Sequence, residues 1–165
     1  MKKLLILDGN SIINRAFYAV APLTTSDGLH TNGIYGFLNI FLKVLGEENP
    51  DYCTVAFDLK APTFRHLEYK LYKATRHGMP NELAEQMQPL KDVLHAMNIK
   101  TIEKEGFEAD DLIGTVSAMC EKEGINCRIL TGDRDDLQLA SDKTQILLTT
   151  TSKGQTQTTV YDDTA

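Results

Sequence analysis

The chain has 165 residues, with 17 Lys and Arg against 23 Asp and Glu, and a formal net charge of −6. This length and composition indicate one folded domain whose core needs neither disulfides nor a structural metal, and they exclude a coiled coil, a collagen-like protein and a disordered chain. No apolar run approaches the 18 residues that a membrane span requires, so no membrane partner is expected. Three cysteines without a CxxC pair are typical of free thiols in a reducing cytoplasm.

Short apolar segments alternate with segments of helical periodicity along the chain. Strands are predicted at residues 4–7, 52–57, 100–102, 127–130 and 146–148. Helices are predicted at residues 11–20, 34–45, 81–97 and 109–123. Asn10 or Ser11 is expected to cap the first helix, Gly124 to end the last, and the polar stretch 149–159 to form a surface hairpin or loop. The alternation predicts an α/β fold with a mostly parallel, doubly wound sheet and no internal repeats.

Acidic residues follow the predicted strands. Asp8 and Asp58 each come directly after one, and Asp133 closes a third through Thr131-Gly132. A fourth strand leads to the segment Glu108-Ala109-Asp110-Asp111. Because ligands bind beyond the carboxyl ends of the strands in open α/β sheets, these acids are expected to meet at one edge.

Each acid also has a structural interpretation of its own. Asp favours turns, acids complement the start of a helix, and Asp133 with Asp136 fits a capping box that opens a short helix. These interpretations do not explain why so many acids lie at one end of one sheet, where unpaired carboxylates repel one another. A divalent cation resolves that repulsion, and oxygen ligands select Mg²⁺ or Mn²⁺.

A basic stretch balances the acidic one. Residues 60–77 contain five Lys and Arg residues and one acid, whereas residues 108–136 contain eight acids and three bases. In the basic stretch the charges alternate with Tyr69 and Tyr72, and this pattern suits phosphates and unpaired bases as well as a solvated helix face. Beside a carboxylate–metal site, a phosphodiester substrate is the better interpretation. The stretch has no continuous apolar face, so residues 60–80 are expected to be mobile without a bound phosphodiester substrate.

These motifs together resemble the N-terminal 5′-nuclease domains of bacterial type-I DNA polymerases, a branch of the flap endonuclease family. The resemblance spans nearly the whole chain. It rests on the segments Leu7-Asp8-Gly9-Asn10-Ser11, Pro22-Leu23-Thr24, Ala56-Phe57-Asp58, Thr63-Phe64-Arg65, Tyr72-Lys73 with Arg76, Met79-Pro80, Glu108-Ala109-Asp110-Asp111, and Thr131-Gly132-Asp133-Arg134-Asp135 with Gln138-Leu139.

The resemblance implies a PIN-like (resolvase-like), mostly parallel twisted sheet with helices on both faces and two divalent metal ions, Mg²⁺ or Mn²⁺. The residues that match the family's metal-binding acids are Asp8, Asp58, Glu108, Asp110, Asp111, Asp133 and Asp135. Asp136 has no counterpart in that set and keeps its capping interpretation. The basic residues Arg15, Lys73 and Arg76 match the family's catalytic cations, which engage the substrate phosphates near the scissile bond. The DNA-binding set adds Arg65, Lys70 and Tyr72, the last as an aromatic that packs on a base.

The resemblance also implies a biological context. The family removes 5′ strands and flaps from DNA in replication and repair, and a polymerase domain is expected in the same polypeptide. Residues 1–165 are expected to be the catalytic subdomain, with residues 60–80 as a basic arch. The family's further acidic pair and its helix–three-turn–helix module are expected to lie outside these residues, which would leave cleavage by this part weak. A monomer in the bacterial cytoplasm, at the nucleoid, is expected.

Two other functions fit the same residues. A PIN-type ribonuclease would share the fold, although the Tyr72-Lys73 and Arg76 motif and the paired acids at a helix start favour a 5′ nuclease. A non-catalytic module that binds DNA or a polymerase would have lost acids, whereas all seven matching acids are present.

Overall fold

The computed structural model describes residues 1–59, 78–152 and 155–163. Its strands are β1 (Lys3–Asp8), β2 (Tyr52–Ala56), β3 (Lys100–Ile102), β4 (Asn126–Thr131), β5 (Thr144–Ser152) and β6 (Gln155–Tyr161). Its helices are α1 (Gly9–Ala19), α2 (Asn32–Glu48), α3 (Asn81–Ala96) and α4 (Ala109–Glu123), with a 3₁₀ helix at Arg134–Leu139. No helix in the described ranges is both long and apolar enough to span a membrane. The basic stretch at 60–77 lies outside these ranges, and its expected mobility stays a prediction.

The strands form one six-stranded sheet in the order β3-β2-β1-β4-β5-β6. The first five strands are parallel, and only β6 runs antiparallel, beside β5. The predicted α/β class and mostly parallel sheet are therefore confirmed. Residues 149–152 and 155–159 of the polar stretch belong to the antiparallel strands β5 and β6, so these residues form a strand pair, as the predicted hairpin requires, and not a loop.

Side chains of the sheet alternate between two apolar layers. On β1, Leu5 and Leu7 pack with α1, α2 and α3, whereas Ile6 faces the opposite layer with α4. Helices consequently cover both faces, as buried parallel strands require. Gly124 ends α4 in the left-handed conformation with φ of 71°, as the sequence predicts.

Helices α1 and α2 approach closely at a glycine. A Cβ on Gly36 would lie 2.8 Å from Cβ of Ala16 and 2.9 Å from Cγ2 of Val20. We predict that Gly36→Ala destabilises the protein by about 1–3 kcal/mol, since the added methyl group overpacks this contact. Gly46 lies in the same helix, and no described residue comes within 4 Å of a Cβ added there. Gly46→Ala should therefore stabilise the helix by about 0.5–1 kcal/mol. Urea unfolding of both variants checks this, and equal stabilities would contradict the proposed contact.

Candidate metal centre

The central pair of strands creates a crevice at the carboxyl edge of the sheet. Strand β1 lies between β2 and β4. From β1 the sheet continues through β2 to β3 on one side, and through β4 to β5 and β6 on the other, so the strand order reverses between β1 and β4. This is the topological switch point at which open α/β sheets bind ligands. Asp8 ends β1, and Asp133 lies two residues after the end of β4.

Asp8 is held at this edge by the start of α1. Its carboxylate Oδ1 accepts a hydrogen bond of 3.2 Å from the Ser11 backbone N–H, and only 5% of the residue is exposed. The prediction that Asn10 or Ser11 caps α1 is therefore wrong, because Asp8 is the N-cap. A Cβ on Gly9 would lie 2.5 Å from a ring carbon of Phe57. Glycine at this position thus lets the end of β1 approach the segment that follows β2.

The Ser11 hydroxyl does not cap α1 but connects this helix to the loop that follows β4. Its Oγ accepts a 3.0 Å hydrogen bond from the Gly132 N–H and lies 3.3 Å from the Thr131 hydroxyl. Thr131 Oγ1 in turn accepts a 3.0 Å hydrogen bond from the Asp133 N–H. These contacts fix the loop after β4 against α1 and so position Asp133 opposite Asp8.

Asp58 and Glu108 occupy the neighbouring side of the crevice. Asp58 Oδ1 accepts a 2.6 Å hydrogen bond from the Ala109 N–H at the start of α4. The Asp58 N–H donates to Asn10 Oδ1 at 3.0 Å, which ties the segment after β2 to α1. Glu108 is buried and precedes α4 directly. The start of α4 is thereby fixed beside the end of β1.

The paired acids of α4 have different positions. Asp111 Oδ2 accepts a 2.9 Å hydrogen bond from the Glu108 N–H and so completes a capping box. Asp110 instead lines a cleft of about 1030 Å³ at the carboxyl edge. Of the seven predicted acids, five line this cleft: Asp8, Asp58, Glu108, Asp110 and Asp133. Asp111 and Asp135 do not line it in the described part of the chain.

The 3₁₀ helix after β4 brings a further acid into the centre. Asp133 caps this helix, with Oδ1 accepting a 2.9 Å hydrogen bond from the N–H of Asp135, whose side chain is exposed. The capping interpretation of Asp136 is wrong: the Asp133 N–H that it would need bonds to Thr131. The side chain of Asp136 is buried, and one oxygen each of Asp8, Asp110 and Asp136 lie within 4.8 Å of one another.

The three converging carboxyl groups have raised pKa values. Burial raises the pKa of Asp8 well above its ordinary value, and the charges of Asp110 and Asp136 raise it further, against the opposing Ser11 hydrogen bond. Burial also raises the pKa of Asp110, and Asp133 adds to this. The pKa of Asp136 is raised to about 7, first by burial and then by Asp110 and Asp133, against a hydrogen bond from Thr131. Without a cation, the centre therefore holds protons that free carboxyl groups would release.

Arg15 is the predicted basic residue that the structure brings to the cleft. Its Nη2 donates a 2.8 Å hydrogen bond to the Gly132 carbonyl oxygen, beside Asp133. Asn14, Tyr18 and Met79 line the same cleft. The other predicted DNA-contacting residues lie outside the described ranges: Arg65, Lys70, Tyr72, Lys73 and Arg76.

Comparison with known proteins identifies the family. Residues 3–165 match the model of the 5′–3′ exonuclease, N-terminal resolvase-like domain, and the chain belongs to that family. DNA polymerase I of Caldicellulosiruptor bescii is 45% identical over 159 residues, which make up 96% of this chain and 19% of that protein. DNA polymerase I of Bacillus subtilis is 44% identical over 160 residues, or 97% of this chain and 18% of that protein. The chain spans about one fifth of the length of these relatives.

Solved structures share the fold. T5 5′-exonuclease with bound zinc ions has a TM-score of 0.67 at 19% identity, and the match covers 89% of this chain and 55% of that one. Bacteriophage T5 D15 flap endonuclease, in a pseudo-enzyme–product complex with DNA and metal ions, has a TM-score of 0.64 at 18% identity, with the same coverage. These likenesses support the predicted PIN-like fold.

Proposed function

We propose that the chain is the catalytic part of a divalent-metal-dependent 5′ nuclease that hydrolyses phosphodiester bonds near the 5′ end or 5′ flap of DNA. The observation that carries this proposal is the convergence of Asp8, Asp110 and Asp136, with one carboxylate oxygen of each within 4.8 Å of the others. Asp8 and Asp110 also line the cleft that Arg15 lines. Membership in the 5′–3′ exonuclease family supports it. The relatives named DNA polymerase I support a polymerase domain in the same polypeptide.

The donor set fits Mg²⁺ or Mn²⁺. Only carboxylates converge in the centre, neither His nor Cys lines the cleft within the described ranges, and a buried oxygen of Asp136 accepts no hydrogen bond. Asp8 and Asp110 would hold a first ion, with Asp58, Glu108 and Asp133 along the same cleft. A bound ion supplies an activated water and stabilises the charge of the leaving oxygen. Asp111 and Asp135 are proposed as outer members of the centre, since Asp111 completes the capping box of α4 and Asp135 is exposed.

Arg15 is proposed to bind the phosphate at the scissile bond. Its hydrogen bond to Gly132 fixes the guanidinium beside Asp133, and its remaining N–H groups are suited to two phosphate oxygens. Lys73 and Arg76 are proposed to contact the same phosphate region. Arg65 and Lys70 would contact the strand backbone. Tyr72 is proposed to stack on a base of a frayed 5′ strand.

The proposed phosphate contacts of Lys73 and Arg76 can be tested by DNA binding. We predict that Lys73→Ala and Arg76→Ala weaken DNA binding about equally across sequences, because phosphates carry no base information. Each substitution should reduce the slope of log K against log salt by about one unit. Fluorescence anisotropy on two unrelated flap sequences over a salt series measures both quantities. Slopes equal to that of the parent protein would contradict the phosphate assignment.

We propose that the protein removes primers and flaps in replication and repair, as a monomer in the bacterial cytoplasm. Cleavage of a 5′-flap DNA, with protein in excess and in millimolar Mn²⁺, tests it. Asp110→Asn should slow cleavage at least about 100-fold, since a metal site supplies several kcal/mol of transition-state stabilisation. The control is Asp142→Asn, which removes an exposed charge near the amino end of β5.

Other outcomes distinguish the alternatives. Flap cleavage that persists in chelator, or that Asp110→Asn leaves unchanged, would contradict the proposal. Preferred cleavage of single-stranded RNA would favour a PIN-type ribonuclease. DNA binding without uptake of Mn²⁺ would favour a non-catalytic module.

A further inference from the structure

Asp136 is buried, and no cationic side chain pairs with it in the described ranges. It lies in the 3₁₀ helix Arg134–Leu139, and 2% of the residue is exposed. A carboxylate at this depth is normally paired with a cation or hydrogen-bonded at both oxygens. In the parts of the chain that the structure describes, Asp136 forms no ion pair, and its Oδ2 accepts no hydrogen bond. The carboxyl group of Asp136 forms hydrogen bonds with the Thr131 hydroxyl and with the Asp110 carboxyl group. Its Oδ2 is left without a hydrogen-bond partner among the described residues.

A local structural role does not explain this burial. In a capping box, the Asp136 side chain would accept the N–H of Asp133, but that N–H bonds to Thr131 Oγ1. The Asp136 N–H bonds to the Asp133 carbonyl oxygen, as the 3₁₀ geometry requires. This spacing of three residues places the Asp133 and Asp136 side chains on one face of the helix, toward the start of α4. Asp136 is consequently directed at Asp8 and Asp110 by the fold rather than by a cap.

The distances within the centre fit a single cation. One oxygen of each of Asp8, Asp110 and Asp136 lies within 4.8 Å of the other two. Mg²⁺ binds oxygen at about 2.0–2.1 Å, so two ligands of one ion lie roughly 3 to 4.2 Å apart. A small inward movement of the side chains places all three oxygens around one ion. Asp136 Oδ2 has no hydrogen-bond partner among the described residues, so its lone pairs are free to bind such an ion.

We propose that Asp136 is a direct ligand of the cation that Asp8 and Asp110 hold. The inference rests on the proposed function, because it assigns an additional ligand to the same centre. Asp136 lies outside the set of seven acids that the family resemblance supplies. With Asp136 as a third carboxylate ligand, the first ion binds more tightly than it would to Asp8 and Asp110 alone. Asp136 also takes the place of one water molecule that would otherwise coordinate the ion.

The test is Mn²⁺ binding by isothermal titration calorimetry to parent, Asp136→Asn, Asp136→Leu and Asp142→Asn proteins. Both Asp136 variants should bind Mn²⁺ about 10-fold or more weakly, a loss comparable to that for removing supporting groups of metal sites. Asp142→Asn should bind as the parent does, because it removes the same charge at the opposite edge of the sheet. Thermal melts in chelator verify that each variant is folded, and Asn preserves the shape of Asp136.

A second measurement separates direct binding of the ion by Asp136 from electrostatic attraction by its negative charge at a distance. Water-proton relaxation of the bound Mn²⁺ should show about one more coordinated water in Asp136→Leu, since Mg²⁺-type sites fill open positions with water. An unchanged water number together with an unchanged Mn²⁺ affinity would overturn the assignment of Asp136. If Asp110→Asn then still loses Mn²⁺ binding, the proposed function stands without this ligand. If Asp110→Asn also binds as the parent does, the metal centre itself is wrong.

Discussion

Asp110→Asn should raise the melting temperature of the metal-free protein. Asp110 lies among acids: Asp133 raises its pKa after burial does, and Asp8 and Asp136 converge on the same point. The amide keeps the shape of the side chain and removes one negative charge from this group. Relief of about 1 kcal/mol follows at an effective dielectric constant near 20. In a domain of this length that corresponds to an increase of roughly 2–4 °C.

The same substitution should remove most of the stabilisation that Mn²⁺ provides. A bound ion stabilises the folded state by RT ln(1 + [L]/Kd), so a weaker Kd reduces the increment directly. The two effects have opposite signs, and this separates a metal centre from an acid that only caps a helix. If Asp110 only complemented the start of α4, Asn would serve nearly as well, and neither value would change much.

Thermal melts of the parent and Asp110→Asn proteins, in chelator and in millimolar Mn²⁺, check both effects. Asp142→Asn is the matched control, since it removes an exposed charge at the other edge of the sheet. A variant less stable than the parent in chelator, with an unchanged Mn²⁺ increment, would contradict the assignment of Asp110 to the centre.

Much of the fold follows from local sequence signals. Parallel strands buried on both faces give continuous apolar runs, and the predicted strand at 100–102 and helix at 109–123 match β3 and α4 in their bounds. The placement of acids at one edge was also predictable, because the carboxyl ends of parallel strands coincide. Strand β6 gave no such signal. It is a polar edge strand, rich in Thr and Gln, and pairing with β5 decides its conformation.

Contacts between distant residues decided what the sequence did not predict. Ser11 meets Thr131 and Gly132 across about 120 positions, so its hydroxyl is used between loops and Asp8 becomes the cap. Because Thr131 takes the Asp133 N–H, Asp136 loses its capping partner. One signal for Asp136 was present: a separation of three residues from Asp133 in a short 3₁₀ helix places both side chains on one face.

The stability of the metal-free protein should fall as the pH rises from about 4 to about 7. The pKa of Asp136 in the folded protein is about 7, against 3.8 as its ordinary value, and that of Asp8 is also raised. Between these two values the folded state binds more protons than the unfolded state, so the free energy of unfolding decreases as the pH rises. Above about pH 7 the whole cost of holding these carboxyl groups ionised in the folded protein is present, and this cost is the penalty. Below about pH 4 both states are protonated and the penalty disappears.

Asp136→Asn isolates the contribution of this carboxyl group. A tenfold difference in proton affinity is about 1.4 kcal/mol, so a pKa of about 7 sets an upper value of about 4 kcal/mol. Because Asp8 and Asp110 share the penalty, we expect the variant to be about 2 kcal/mol more stable than the parent at pH 8 in chelator. The two proteins should converge toward pH 4. Urea unfolding in chelator at intervals from pH 4 to pH 8 measures this difference.

Mn²⁺ should reverse the trend over the same pH range. Metal ligands must be deprotonated to bind, so the stabilisation by Mn²⁺ increases as the protons of the centre are released. In the parent protein the increment in melting temperature should therefore grow from pH 5 to pH 8, whereas in Asp136→Asn it should be smaller and depend less on pH. A parent protein whose stability in chelator is independent of pH between 5 and 8 would show that Asp136 does not bind a proton at the centre. An increment that is the same in parent and variant at every pH would show that this carboxylate does not bind the ion.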